Sequence, residues 1–264
     1  MSTAVGAVRH LAGRIGPRTA TGPAYRRAAR WVAGRLGRLG YTVRLQEVRV
    51  PGGVSWGVPV PPGTSANVVA APPGVSLTSP HLVVGAHLDT VPQAPGAEDN
   101  ASGVGVLLTV AEAVAGRRTR LPVVFVAFGA EEPRGGTDAD HHYGSRAYVD
   151  RLGPARREAV RGMVSLDRVG VGTVLPVCSA GTGPDWLRAE LLRAARLAGV
   201  RARSCSGNRA SDHLSFVRQG LAGVRLGSTP FAGYHSPGDV PAVVSRPQLQ
   251  RAARTVTAWV SPRP

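Results

Sequence analysis

Apolar residues along the chain follow two alternating rhythms, and the switches between them mark out the elements. Behind the start signal Thr21-Gly22-Pro23, residues Tyr25, Ala28, Ala29, Val32, Leu36 and Leu39 recur at helical spacing, and Gly40 closes the run. Residues 41–50 then read as a strand with Val43, Leu45 and Val48 as its apolar side, and 67–71 as a second, short strand. The stretch between them, 51–65, is rich in Gly and Pro and is expected to be a loop or a short ribbon. Residues 81–87 are apolar at nearly every position, as in a strand covered on both faces. Further strands are expected at 121–129, 162–167, 173–178, 200–204 and 221–226. Helices are expected at 104–115, 145–152, 184–199, 211–218 and 246–260, the last with Leu249, Ala252, Ala253, Val256 and Trp259 inward. Buried strands alternating with amphipathic helices predict a three-layer α/β/α fold around a central, mostly parallel, mixed sheet. No repeat or linker divides the pattern, so residues 1–264 are expected to form one domain.

Composition changes this picture little. Apolar residues make up 43%, ordinary for a globular chain, and no apolar run is long enough to cross a membrane. The formal net charge is +16, and every basic residue is Arg. These arginines are scattered singly or in pairs, with only 5% aromatics, which reads as solvated helix faces rather than a nucleic-acid surface. Segment 6–14 is too charged for a signal peptide, so the chain as read is expected to be cytoplasmic unless a leader has been removed. Cys178 and Cys205 read as two small buried residues, or as a bridge if the chain is exported to an oxidising compartment.

Chemistry-bearing residues collect where strands end. His87 ends one strand, Glu131 and Glu132 follow another, Asp167 ends a third, and Tyr234 and His235 lie in the loop after the strand at 221–226. Asp89 lies just beyond His87, and Asp99 stands at the start of the next helix, where it also reads as an N-cap. In open α/β sheets ligands bind beyond the carboxyl ends of strands, so these residues can converge on one crevice. Imidazole and carboxylate together suit a divalent ion such as Zn²⁺.

The combination Gly85-Ala86-His87-Leu88-Asp89, Pro95-Gly96-Ala97-Glu98-Asp99-Asn100-Ala101-Ser102-Gly103, Glu131-Glu132, Leu166-Asp167, Ser211-Asp212-His213 and Tyr234-His235-Ser236-Pro237-Gly238-Asp239 resembles the M28 family of zinc aminopeptidases, in order and in rough spacing. The resemblance implies two zinc ions per chain bridged by Asp99, with His87 and Asp167 completing one site and Glu132 and His235 the other. It implies Glu131 as general base on a metal-bridging water, Asp89 behind His87, and Tyr234 beside the tetrahedral intermediate. It also implies a cis peptide after Asp99. The expected substrates are peptides with a free N-terminus, and the expected state is a monomer. The alternatives are another amide hydrolase of the same kind (a carboxypeptidase, or a single-zinc glutaminyl cyclase, against which the five ligand positions argue) and a non-catalytic binding protein on the same fold.

Two departures stand out. An insertion, 133–143, separates Glu132 from Gly144-Ser145; its Asp138, Asp140, His141 and His142 are expected to form an exposed polar rim. Arg168 follows Asp167 where the family has an apolar residue; it and Arg209 are expected to pair with nearby acids.

Overall fold

The computed structural model describes residues 2–262. Its strands are β1 (Thr42–Val50), β2 (Gly53–Ser55), β3 (Val58–Val60), β4 (Gly63–Ala71), β5 (His81–His87), β6 (Val123–Phe128), β7 (Val160–Leu166), β8 (Leu175–Ser179), β9 (Ala202–Cys205) and β10 (Gly223–Leu226). Its helices are α1 (Ser2–Val8), α2 (Pro23–Arg38), α3 (Gly103–Val114), α4 (Tyr143–Asp150), α5 (Pro154–Ala159), α6 (Trp186–Leu197), α7 (His213–Val217) and α8 (Arg246–Val260).

Eight strands form one mixed sheet in the order β1-β4-β6-β5-β7-β10-β8-β9. The central strands β6, β5, β7 and β10 are mutually parallel, whereas β4 and β8 join them antiparallel on either side. Side chains alternate across this sheet, and the two sets enter different cores. Leu82, Val84, Phe125, Ala127 and Val164 pack with residues of α1, α2, α3, α6 and α8. Val83, Val124, Val126, Phe128 and Met163 pack with Tyr148 and Val149 of α4 and Phe216 of α7. Helices therefore cover both faces, and the three-layer α/β/α expectation holds.

Four features differ from the sequence pattern. The chain before Pro23 is ordered: α1 continues into a wider helical turn at Arg9–Ile15, burying Ala4, Ala7, Val8 and Leu11. Strand β4 begins at Gly63 rather than 67, because all nine residues of β1 find partners along it. Strand β1 lies at the sheet edge, so Leu45 is exposed, and Val50 joins the expected Val48 in supplying the buried contacts. Cys178 and Cys205 are not two separate thiols: β8 and β9 pair in a register that sets them side by side, Cα–Cα 4.5 Å, and they form a disulfide.

Candidate metal centre

The parallel strands β6, β5, β7 and β10 are neighbours, so their carboxyl ends open on the same edge. His87 is the last residue of β5, Glu131 and Glu132 follow β6, and Asp167 follows β7. Asp99 arrives from the irregular turn Ala97–Ser102 that leads into α3, and His235 from the loop after β10. All six are buried, although they lie far apart in sequence.

Asp99 stands in the middle. Its Oδ1 is 3.0 Å from His87 Nε2, and its Oδ2 is 3.1 Å from His235 Nε2. Beyond His87, Asp167 Oδ1 lies 3.8 Å from Nε2; beyond His235, Glu132 Oε2 lies 3.3 Å from Nε2. The donors thus fall into two trios that share Asp99: His87, Asp99 and Asp167 on one side, and Asp99, Glu132 and His235 on the other. Glu131 joins a third overlapping group with His87 and Glu132. Each trio is compact enough to hold one ion, and each mixes imidazole nitrogen with carboxylate oxygen, as zinc prefers. Within the protein, Glu132 Oε1 and His235 Nδ1 are buried with no well-aligned hydrogen bond. Orphaned buried donors and acceptors are costly, and coordination to a cation satisfies such groups. The residues present therefore fit divalent metal.

A second row of groups aims these side chains. His87 Nδ1 lies 3.2 Å from the main-chain O of Asp89, which turns Nε2 toward the carboxylates. The Asp89 carboxylate, with Oδ1 3.7 Å from the same Nδ1, also accepts the N–H groups of Glu131 at 3.0 Å and Glu132 at 3.1 Å. Asp239 does the same for Glu98 and Asp99, at 2.7 and 3.0 Å. Asn100 donates to Leu166 O and accepts the N–H groups of Gly103 and Arg168, tying the turn to the end of β7. The Asp99–Asn100 peptide is cis, as the family resemblance implies.

Charge is crowded here. Burial and then the neighbouring Asp99 and Glu131 charges push the Glu132 carboxyl well above the usual range. Burial acts the same way on Asp99, but contacts with His235 and His87 outweigh it and hold that carboxyl low. Asp167 is likewise held low against burial, chiefly by Arg225 and His87. For His87 burial disfavours the charged ring, yet Glu131, Asp167, Asp89 and Asp99 raise it well above its ordinary value. So many acids in one dry site attract cations, and a bound ion takes the place of these protons.

Tyr234 lies at the mouth, partly exposed, stacked on His235 with ring centroids 3.7 Å apart. Trp56, from the turn of the β2–β3 ribbon, meets His235 edge-on at 4.4 Å. Arg168 does not pair with an acid: its guanidinium lies 4.3 Å over the Tyr234 ring and donates to Ser228 Oγ. Arg209 does reach an acid, Asp138, at 3.7 Å on the surface. The insertion 133–143 is only partly the expected exposed rim. Asp138 is exposed, but His142 is buried with Nε2 3.2 Å from Glu131 Oε1.

Sequence reasoning missed Arg225, whose Nη2 lies 3.0 Å from Asp167 Oδ1. The signal was present: one charge in the otherwise apolar strand β10, buried on both faces. Asp239 and His142 stood in segments the sequence singled out, but spacing carried no signal of what each touches, the Glu98 and Asp99 amides and Glu131.

Sheet and donor set together define a class, the α/β proteins that gather metal-binding side chains at the carboxyl ends of parallel strands. Within that class the chain belongs to peptidase family M28, whose model matches residues 67–260. An aminopeptidase of Bacillus subtilis, YwaD, is 30% identical over 208 residues, covering 75% of this chain and 44% of that protein. A leupeptin-inactivating enzyme of Streptomyces exfoliatus is 31% identical over 148 residues, covering 55% of this chain and 30% of that protein. The chain spans less than half the length of these curated relatives. Among solved structures, a zinc aminopeptidase from Bacillus subtilis superposes with a TM-score of 0.85 at 20% identity, covering 98% of this chain and 93% of that one. A glutaminyl cyclase from Bacteroides thetaiotaomicron shares the fold as well, with a TM-score of 0.79 at 20% identity and coverage of 100% and 98%.

Proposed function

We propose that the chain is a two-zinc aminopeptidase, cleaving the first peptide bond of substrates with a free N-terminus. The observation that carries this reading is the position of Asp99, with one carboxylate oxygen toward each imidazole and a further carboxylate behind each. That arrangement suits a bridging ligand between two sites: His87 and Asp167 complete one, and Glu132 and His235 the other. The relatives' names support peptide substrates, and the family match supports hydrolysis. Zinc, when bound, would polarise the scissile carbonyl and lower the pKa of a water beside it.

The chain's own residues then divide the remaining work. Glu131, beside the donors but outside the two Asp99 trios, accepts the water's proton and returns it to the leaving amine. Asp89, through the Glu131 and Glu132 amides, keeps the base and the ligand beside it in fixed directions. Tyr234 offers a phenol at the mouth, and its pKa is driven upward by burial and by Asp99 and Glu132, so it stays a hydrogen-bond donor through the alkaline range. The acids buried around the centre favour a charged N-terminus over a blocked one. A single-metal cyclase on this fold leaves the second trio unused.

Metal analysis of the dialysed protein tests the reading. It should give two zinc per chain, and a chelator should abolish turnover until zinc is restored. Glu131→Gln should keep both ions and lose about 10²–10⁴-fold in kcat. One ion or none per chain, or full turnover in Glu131→Gln, contradicts it.

A further inference from the structure

The insertion 133–143 places a histidine against the residue assigned as base. Its C-terminal end is pinned to the chain around Glu131, with His142 N–H donating to Glu131 O at 3.0 Å and Tyr143 N–H to Ala130 O at 2.8 Å, and the insertion closes on itself through Arg134 N–H to Asp140 O at 2.8 Å. His142 is therefore joined to Glu131 twice, once through the main chain and once through the ring, with Nε2 3.2 Å from Oε1. Its side chain is buried, and neither ring nitrogen makes a well-aligned hydrogen bond among the described residues, so the 3.2 Å approach to Glu131 is the nearest ion-pair contact of the ring. The backbone at His142 is left-handed, φ 59° and ψ 31°. Glycine adopts that conformation freely, whereas a branched or ring-bearing residue pays about 1 kcal/mol or more. A buried histidine in this conformation presents its ring to Glu131, the acid within ion-pair distance of it.

We propose that His142 is a positioning residue for Glu131: Nε2–H anchors Oε1, fixes the carboxylate rotamer, and leaves Oε2 as the oxygen that exchanges the proton. The proposal rests on the reading of Glu131 as base and adds a residue supplied by an insertion. The present approach is oblique; such contacts commonly tighten once substrate is bound. Without the anchor, the carboxylate has more rotamers to choose from, and only some face the reacting water. The loss then falls on the chemical step rather than on substrate binding.

His142→Phe keeps a ring and removes the nitrogens, and His142→Gln keeps an N–H donor. Each is made in the wild type and in Glu131→Gln, with bound zinc, thermal midpoint, kcat and KM measured on an aminoacyl p-nitroanilide. His142→Phe should lower kcat by about 10–100-fold, the usual scale for losing a group that orients a catalytic side chain, with zinc content unchanged and KM within about twofold. His142→Gln should recover about tenfold of that loss. In the Glu131→Gln background, His142→Phe should change kcat by less than about twofold, because the base it positions is gone. Wild-type kcat in His142→Phe overturns the proposal. So do an equal loss in His142→Phe and His142→Gln, a loss that follows zinc content, or an undiminished effect in the Glu131→Gln background. If His142→Phe does not fold, His142→Ala takes its place on the same criteria. Full turnover in Glu131→Gln alone removes the base reading itself and the proposal with it, whereas failure confined to the His142 variants leaves that reading standing.

Discussion

Three acids near the centre bind main-chain amides instead of basic side chains. Asp89 holds the amides of Glu131 and Glu132, Asp239 those of Glu98 and Asp99, and Glu98 those of Gly170 and Val171. A carboxylate spanning two successive N–H groups sets the direction of both residues that carry them. His213 illustrates a different role. It is buried with Nε2 2.8 Å from Asn208 O, and burial, followed by the Arg225 charge, pushes its pKa from 6.5 down to about 3. The unfolded chain thus binds a proton near pH 6.5 that the folded chain refuses until about pH 3, so stability falls as pH drops through that window. This group alone should cost roughly 2 kcal/mol between pH 7 and pH 5. Denaturant unfolding at the two pH values checks it: His213→Gln should show a smaller drop than the wild type, and an equal drop assigns the loss elsewhere. At this scale the sequence was informative wherever a residue stood at a strand end in a recognisable motif, as with His87, Asp99 and His235. Arg225 and His142 were hidden because what matters about each is its partner, Asp167 or Glu131, dozens of residues or one irregular loop away.

At the scale of elements, the segment before α2 is bound to the centre by one buried cation. The Arg18 guanidinium donates to the carbonyls of Leu11, Gly16, Leu88, Pro95 and Gly96. It joins the helical turn Arg9–Ile15 to the loop between His87 and Asp99, and burial lowers its pKa to about 10. Arg18→Met should leave several carbonyls unpaired and cost at least about 3 kcal/mol of unfolding free energy. A loss below about 1 kcal/mol in denaturant unfolding would contradict that role. Helices and central strands were legible because burial on one or both faces imposes a period on the sequence. The N-terminal segment was not, because Ala4, Ala7 and Val8 are too small and too few to make a stripe. Strand β1 misled for a related reason: as an edge strand it is covered unevenly, so its apolar pattern is not a reliable guide to its inner face.

Across the whole molecule, charge is segregated. Of sixteen acidic residues, Asp89, Glu98, Asp99, Glu131, Glu132, Asp167, Asp212 and Asp239 are buried around the centre. The net charge of +16 therefore understates how basic the exterior is, and the acidic character is concentrated inside one crevice. This division suits a site that collects cations, as the proposed metals and the charged N-terminus of a peptide would require. The fold cannot choose among activities by itself, since an aminopeptidase and a glutaminyl cyclase both superpose on it. The discriminating property is recognition of the free amino group. The most direct measurement is the rate at which the zinc-loaded chain hydrolyses an aminoacyl p-nitroanilide and its N-acetylated counterpart under the same conditions. Rapid cleavage of the free-amino substrate with none of the blocked one is the predicted result. Comparable cleavage of both, or of neither with two zinc bound, would contradict the assignment.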